Sequence, residues 1–120
     1  MEIWEGPTDI FGLAIYKAIT RKMENDPKYR DYINNIENLN ILVKLDYYPV
    51  MLKFQKGSIE ITRDVSSKAN VILSTSAQHF MKIIDNKDTI IGSFLKFKMK
   101  LSKGFTKLFK VYKIFSNMMN

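Results

Sequence analysis

The sequence predicts an α+β domain in which helices cover one face of a mainly antiparallel sheet of about five strands. Two helical segments open the chain, strand-like alternation of apolar and polar residues begins near residue 39, and the strand-like segments follow one another directly. Consecutive strands flanked by helices are typical of α+β rather than α/β architecture. With 120 residues, 46% of them apolar, residues 1–120 are expected to form one domain around one core.

Two helices are predicted at the N-terminus. Thr8 or Asp9 can cap the first, which is expected to run to about Met23 with a broad apolar stripe. Asp26-Pro27 then begins a second helix, because aspartate is a good N-cap and proline is favoured at the first helical position.

From Leu39 the apolar residues recur at every second position, which indicates strands. Residues 39–47 form the first predicted strand and residues 50–55 the second, joined through the hairpin turn QKGS to a third strand at 58–64. An apolar run at 70–76 predicts the fourth strand. The four strands follow one another, so hairpin pairing is expected for most of them.

A helical crossover is predicted next. Ser76 can cap the helix AQHFMKIID, and DTIIGSFL forms a second short helical segment. The segment LKFKMKLSK, residues 95–103, alternates large apolar side chains with lysine and therefore predicts a fifth strand. Gly104 is expected to separate this strand from a C-terminal helix of roughly 14 residues, on which apolar side chains cover an arc of about 220° at 100° per residue.

The net charge of +7 is confined to the C-terminal quarter of the chain. Through Phe80 the chain has ten Lys or Arg and ten Asp or Glu, whereas residues 89–120 contain seven lysines and no acid. A one-sided positive field favours an anionic partner, such as nucleic acid, an acidic lipid surface or an anionic ligand.

Several kinds of chemistry are excluded or disfavoured by composition. The chain has no cysteine and one histidine, so disulfides and thiolates are absent and no metal-ligand set is evident. His79 is expected to be a solvent-exposed helix residue, because no oriented catalytic partner is visible in the sequence. We therefore expect a non-catalytic protein without metal or cofactor. The lack of cysteine and of a signal-peptide pattern fits a cytoplasmic location.

The segment ANVILSTSAQHFMKIIDNKD resembles the sterol carrier protein type two family, in which a strand of the form A-D-V-T-[IL]-x-x-S leads into a helix x-x-x-F-x-x-[IL]. The positions that match this pattern are Ala69, Val71, Leu73, Ser76, Phe80 and Ile83. The resemblance covers roughly residues 39–118. Asn86-Lys87 stands where the family usually has glycine and lysine, and asparagine is the next best residue for a left-handed turn.

The resemblance implies that the sheet, the crossover helix and the C-terminal helix enclose an apolar tunnel that holds a fatty acyl chain, a sterol or a similar lipid. We expect a pocket of roughly 300–1,000 Å³. The residues expected to line it are Phe80, Ile83, Ile84, Phe94, Phe97, Met99, Leu101, Phe105, Leu108, Phe109 and Tyr112. The residues expected to face an anionic headgroup or membrane are Lys96, Lys98, Lys100, Lys103, Lys107, Lys110 and Lys113.

The leading hypothesis is therefore non-catalytic binding or transfer of a fatty acyl, acyl-CoA, sterol or isoprenoid-like lipid, with peripheral contact to an anionic membrane. One alternative is a small basic module that binds nucleic acid or a protein partner. Nucleic acid is disfavoured because base recognition uses Arg, Asn and Gln, and the lysine-rich region has no Arg. Another alternative is an accessory domain that holds a substrate in lipid or quinone biosynthesis.

Overall fold

Six strands and five α-helices make up the part of the chain that this computed structural model describes, residues 3–4, 10–46, 48–63, 68–96 and 98–118. For residues 3, 4 and 10 it describes the backbone alone. The elements are β1 (Ile3–Trp4), α1 (Ile10–Asn25), α2 (Pro27–Asn35), β2 (Leu39–Leu45), β3 (Tyr48–Gln55), β4 (Ser58–Thr62), β5 (Val71–Thr75), α3 (Ala77–Ile84), α4 (Ile90–Leu95), β6 (Lys100–Lys103), a 3-10 turn (Phe105–Lys107) and α5 (Leu108–Ile114).

The strands form one mixed, mostly antiparallel sheet in the order β1-β4-β3-β2-β5-β6. The pairs β2–β3, β3–β4 and β5–β6 are antiparallel, whereas β1–β4 and β2–β5 are parallel. The α+β prediction is confirmed, and five of the strands correspond to the five predicted ones. The sixth, β1, is a two-residue edge strand that the sequence pattern did not indicate.

Strand alternation places the core on one face of the sheet. Along β2 the odd-numbered residues, from Leu39 to Leu45, are buried, and Lys44 points to solvent, as expected for side chains that alternate between faces. Tyr47, the last residue of the predicted stripe, lies outside the described residues. The opposite face is also buried where Met51 pairs with Thr62.

Hydrogen-bonded caps start helices α2 and α3. The Asp26 carboxylate accepts from the amides of Lys28 and Tyr29, both at 3.1 Å, and Pro27 occupies the first helical position. Ser76 Oγ accepts from the His79 amide at 3.0 Å, so the predicted starts of α2 and α3 are confirmed. The predicted caps of α1, Thr8 and Asp9, lie outside the described residues.

The predicted strand over residues 95–103 is wrong for residues 95, 96, 98 and 99, and Phe97 lies outside the described residues. Helix α4 continues through Leu95, and β6 begins only at Lys100. The physical reason is a set of hydrogen bonds that turn the chain: the Lys98 amide donates to the Ser93 carbonyl at 2.8 Å, and Thr75 Oγ1 donates to the Lys98 carbonyl at 2.8 Å. The alternating pattern is thus divided between a helix end, a turn and a short strand.

Helix α5 has seven residues, half the predicted length, because the chain beyond Ile114 is held by side chains of α1 and α2. The Tyr29 hydroxyl donates to the Ile114 carbonyl at 2.7 Å. The buried Lys22 ammonium donates to the carbonyls of Ser116 and Asn117, and this burial lowers the pKa of Lys22, while nearby Asp26 acts in the opposite direction. These bonds satisfy carbonyls at the end of the chain segment that have no partner within a helix.

Candidate functional site

An apolar cavity of 480 Å³ opens where α4 turns into β6. The described residues that line it are Phe94, Leu95, Met99, Lys100 and Leu101. All but one of these side chains are apolar, and the volume lies within the range of small-molecule sites, about 300–1,000 Å³. Phe and Met adapt to irregular apolar ligands, so the cavity is suited to a hydrocarbon chain.

Large apolar side chains are exposed at this cavity and on the C-terminal segment. Leu95, which lines it, is 70% exposed, and Phe105 and Phe109 are 69% and 58% exposed. The ring of Phe105 lies 6.4 Å from that of Phe94, another lining residue. The cavity thus has two exposed apolar groups beside it, Leu95 and Phe105, as interaction surfaces often do.

The structure brings some of the predicted pocket residues together and separates others. Phe94, Met99 and Leu101 meet at the cavity. Phe80, Ile83 and Ile84 lie instead in the closed core, where the Phe80 ring contacts Phe115 edge-on at 5.4 Å.

None of the predicted pocket residues of the C-terminal segment is among the described residues that line the cavity. Leu108 packs partly buried against the core. Phe109 contacts Tyr112 on the outer side of α5, with ring centroids 5.9 Å apart. Phe97 lies outside the described residues. Leu95 is not among the predicted pocket residues, although it belongs to the alternating apolar residues of 95–103 that are expected to face the interior. It lines the cavity from the end of α4 rather than from a strand.

The row of Lys96, Lys98 and Lys100 expected along one face of the fifth strand does not form, because β6 begins only at Lys100. Six of the seven predicted surface lysines are exposed and Lys107 is partly buried. Lys96 Nζ lies 3.6 Å from Asp88 Oδ1, and the Lys113 ammonium lies 4.7 Å from the centre of the Tyr32 ring. Within the described residues, the other five have no ion pair.

His79 is not the solvent-exposed residue expected from the sequence. Its side chain is 12% exposed, and Nε2 lies 2.8 Å from Ser93 Oγ and 3.4 Å from Asp88 Oδ2. These contacts tie α3 to α4. The Thr89 amide, which donates to Asp88 Oδ1 at 2.8 Å, lowers the pKa of Asp88; burial opposes this effect, and the charges of Lys96 and His79 add to it. Because Ser93 lies fourteen residues from His79, no local sequence pattern indicated the contact.

A second cavity, of 360 Å³, lies beside this cluster and is polar. The described residues that line it are Ser76, Gln78, His79, Lys82 and Lys98. Among the described residues, no group of three His, Cys, Asp or Glu side chains could hold a metal ion. Within the same residues, no helix is both long and apolar enough to cross a membrane.

Comparison with known proteins gives a family match and several structural matches. The model of the SCP-2 sterol transfer family matches residues 17–115. No curated protein sequence matches the chain.

Three solved structures illustrate the structural similarity. A protein described as "UbiJ-SCP2 Ubiquinone synthesis protein" superposes with a TM-score of 0.67 at 8% identity, over 88% of this chain and 96% of its own. Sterol carrier protein 2 from Yarrowia lipolytica, in its apo form, gives a TM-score of 0.61 at 17% identity, over 94% and 97% of the two chains. A possible sterol carrier protein from Thermus thermophilus gives 0.55 at 14% identity, over 95% and 92%. At these identities the similarity concerns the fold.

Proposed function

The chain belongs to the SCP-2 sterol transfer family, a family of lipid-binding domains, and from this premise we propose that it holds the hydrocarbon chain of a lipid in the 480 Å³ cavity. The observation that carries the proposal is the apolar lining of that cavity by Phe94, Leu95, Met99 and Leu101. Members of this family are generally non-catalytic carriers, although the domain also occurs inside enzymes. In the proposed function the ligand is bound and released without a covalent step.

Burial of the ligand chain supplies the affinity. Each methylene removed from water contributes about 0.8 kcal/mol, so about five buried methylenes offset the lower end of the cost of association, about 4 kcal/mol. The class of chain that this supports is a fatty acyl group or an isoprenoid-like group. Three other pocket residues of the sequence prediction, Phe80, Ile83 and Ile84, are buried in the core and would reach such a ligand only after the core opened into a tunnel.

The same surface is suited to peripheral contact with an anionic membrane. Leu95, Phe105 and Phe109 are exposed and can enter the headgroup boundary, as the apolar faces of membrane-surface helices do. Lysines at 96, 98, 100, 103, 107, 110 and 113 flank them in sequence, and each lysine near an anionic surface contributes about 1 kcal/mol. A lipid could then pass between the bilayer and the adjoining cavity.

A second candidate is an accessory domain that presents a lipid to a separate enzyme. It is favoured by two observations: the structural similarity to a protein described as a ubiquinone synthesis protein, and the exposed position of Leu95 and Phe105 beside the cavity, where a partner could reach the ligand. Tighter binding of a polyprenyl-quinone precursor than of a fatty acid would favour this candidate over a general carrier.

The test of the proposal uses two exposed residues that differ in their relation to the cavity. Leu95→Glu places a carboxylate at the cavity lining, whereas Phe109→Glu changes an exposed residue that is absent from the cavity lining. Binding of a fluorescent long-chain fatty acid, below its micelle concentration, is measured with both variants. We expect Leu95→Glu to weaken binding at least about fivefold, corresponding to roughly 1 kcal/mol, and Phe109→Glu to leave it within twofold.

Binding of the variants to lipid vesicles tests the proposed membrane contact independently of fatty-acid binding in the cavity. Phe109→Glu should reduce binding to vesicles that contain phosphatidylserine. Equal fatty-acid affinity for wild type and Leu95→Glu would contradict the proposed cavity. If duplex DNA displaced the protein from vesicles at equal salt, the basic surface would be assigned to nucleic acid instead of a membrane.

A further inference from the structure

We propose that the polar cavity between α3 and the turn before β6 is a binding subsite for a phosphate-type oxyanion. It is a separate cavity from the apolar one, and nothing in the family match assigns it. The inference rests on the proposed function in one respect: a lipid whose chain lies in the apolar cavity could place its phosphate in the polar cavity. The subsite itself is inferred from the charges, the hydrogen-bond donors and the geometry of its own lining residues.

Two lysine ammonium groups without ion pairs line the cavity. Lys82 extends from α3 and Lys98 from the turn, and both are exposed. Neither makes an ion pair with any described residue, in contrast to Lys96, which lies 3.6 Å from Asp88. A phosphate monoester has a charge of about −1.5 to −2 near neutral pH, so it matches the two positive charges of these side chains.

The hydrogen bonds of Ser93 determine which nitrogen of His79 has the proton. A serine hydroxyl has a single hydrogen, and Ser93 Oγ donates it to the Thr89 carbonyl at 2.6 Å. The 2.8 Å contact between Ser93 Oγ and His79 Nε2 therefore requires Nε2 to be the donor. Asp88 Oδ2, 3.4 Å from the same nitrogen, stabilises this arrangement.

This assignment leaves His79 Nδ1 available for a ligand. Within the described residues, no group hydrogen-bonds to Nδ1. Nδ1 of a neutral His79 can accept a hydrogen bond from the hydroxyl of a singly ionised phosphate, and Nδ1–H of a protonated His79 can donate to the dianion, so either charge state of the ligand is accommodated. Gln78 and Ser76 complete the lining with neutral hydrogen-bonding groups.

Two carboxylates that contact lining residues or their chain neighbours already have partners. Asp46 Oδ2 accepts from the Ala77 amide at 3.0 Å, and Asp88 is bound by the Thr89 amide, by Lys96 and by His79. Within the described residues, neither carboxylate forms an ion pair with Lys82 or Lys98. The cavity, at 360 Å³, has room for roughly a dozen waters at about 30 Å³ each, which is more than a phosphate group needs.

The two cavities are close to each other along the chain. Lys98 lines the polar cavity, while Met99 and Lys100, the next residues, line the apolar one. Consecutive Cα atoms are about 3.8 Å apart, so the backbone positions that line the two cavities are separated by a few ångströms. This short separation is what the proposal of a shared lipid ligand rests on.

The experiment uses the fact that His79 is the only histidine, so its imidazole Cε1–H gives a single, assignable NMR signal. Inorganic phosphate is titrated at constant pH and ionic strength, with chloride as the balancing ion. We compare wild type with the double variant Lys82→Gln/Lys98→Gln. The control is Lys17→Gln/Lys44→Gln, which removes the same charge from two exposed lysines that do not line this cavity. Thermal unfolding confirms that both double variants are folded.

We expect a saturable shift of the His79 signal in the wild type. The affinity for phosphate should be at least about tenfold weaker in Lys82→Gln/Lys98→Gln, because charge-assisted hydrogen bonds are lost. In the control it should remain within twofold of the wild-type value. Absence of a saturable shift would overturn the proposal. So would an equal loss in both double variants, because it would show a response to net charge rather than to a site.

Dodecyl phosphate and dodecanol identify the source of the phosphate. Tighter binding of dodecyl phosphate than of inorganic phosphate, lost in Lys82→Gln/Lys98→Gln, supports the subsite as a lipid-headgroup site. Equal affinity for the two supports it as a site for a free phosphate compound. Dodecanol tests the proposed function separately: failure of dodecanol to perturb Met99 and Leu101 would count against the lipid cavity and leave the phosphate result intact.

Discussion

Gly104 connects β6 to the C-terminal segment that bears Phe105, and its replacement by alanine should strongly destabilise the protein. Its φ is +89°, a conformation that costs a residue with a Cβ about 1–2 kcal/mol. A Cβ at this position would lie 2.5 Å from the Asn70 carbonyl oxygen and 2.9 Å from the Val71 Cα. Both atoms belong to backbone at the start of β5, so the clash cannot be relieved by a side-chain rotation.

The protein contains a matched control for the conformational part of this cost. Gly57, in the hairpin turn between β3 and β4, has the same φ of +89°, and a Cβ there would meet nothing within 4 Å. Gly57→Ala should therefore lose only about 1–2 kcal/mol. Gly104→Ala should lose that amount plus about 1–3 kcal/mol for overpacking, which amounts to roughly 2–5 kcal/mol in total.

Urea unfolding followed by circular dichroism measures both losses. In a domain of this size 1 kcal/mol corresponds to roughly 4 °C in the melting temperature, so thermal scans provide a second estimate. Equal destabilisation by the two substitutions would refute the argument, since it would mean that the close approach of Gly104 to β5 costs nothing.

Two further predictions concern the C-terminal segment and the basic surface. Tyr29→Phe removes the hydroxyl that donates to the Ile114 carbonyl and should cost about 1–3 kcal/mol at neutral pH because a buried acceptor is left unpaired. Burial, with smaller contributions from Tyr32 and Asp26, raises the pKa of Tyr29 in the folded protein, whereas an unfolded tyrosine ionises near pH ~10. The unfolded state then binds fewer protons than the folded state above pH ~10. The free energy of unfolding of the wild type should therefore fall with pH more steeply than that of Tyr29→Phe, by up to about 1.4 kcal/mol per pH unit. If the urea midpoints of the two proteins changed in parallel from pH ~9 to ~11, the prediction would be wrong. Lys103→Glu/Lys110→Glu should weaken binding to phosphatidylserine vesicles more than Lys17→Glu/Lys44→Glu does, with stability changed by no more than about 0.5 kcal/mol per site. Wild-type binding should decline as the Debye length shrinks from about 10 Å at 0.1 M salt to about 3 Å at 1 M, and vesicle affinity that is indifferent to both changes would eliminate the electrostatic contribution.

Local patterns predicted the parts of the fold that local physics determines. Apolar residues at every second position of β2 predict a strand with one buried face, and Leu39, Ile41 and Val43 do face the core. The caps at Asp26 and Ser76 involve amides two or three residues away. Asn86, predicted for a left-handed turn, has a φ of +63°. Each of these features depends on neighbours in sequence.

The candidate site could be predicted only in part, because contacts between distant residues shape it. The alternation of apolar residues and lysine in residues 95–103 is compatible with a strand, but the hydrogen bond from Thr75 to Lys98, across 23 positions, fastens a turn there instead. The contact of His79 with Ser93 likewise joins two helices. The edge strand β1 has two residues, too few to show any period.

The central claim is that a lipid chain occupies the cavity lined by Met99 and Leu101, and NMR of the methyl-labelled protein tests it most directly. A saturated long-chain fatty acid is added up to one equivalent. We expect saturable shifts of the Met99 and Leu101 methyl signals, with nuclear Overhauser contacts to the acyl chain. The methyl of Met51, buried on the opposite face of the sheet, should be unaffected. Unchanged Met99 and Leu101 signals, or shifts of equal size at Met51, would contradict the claim.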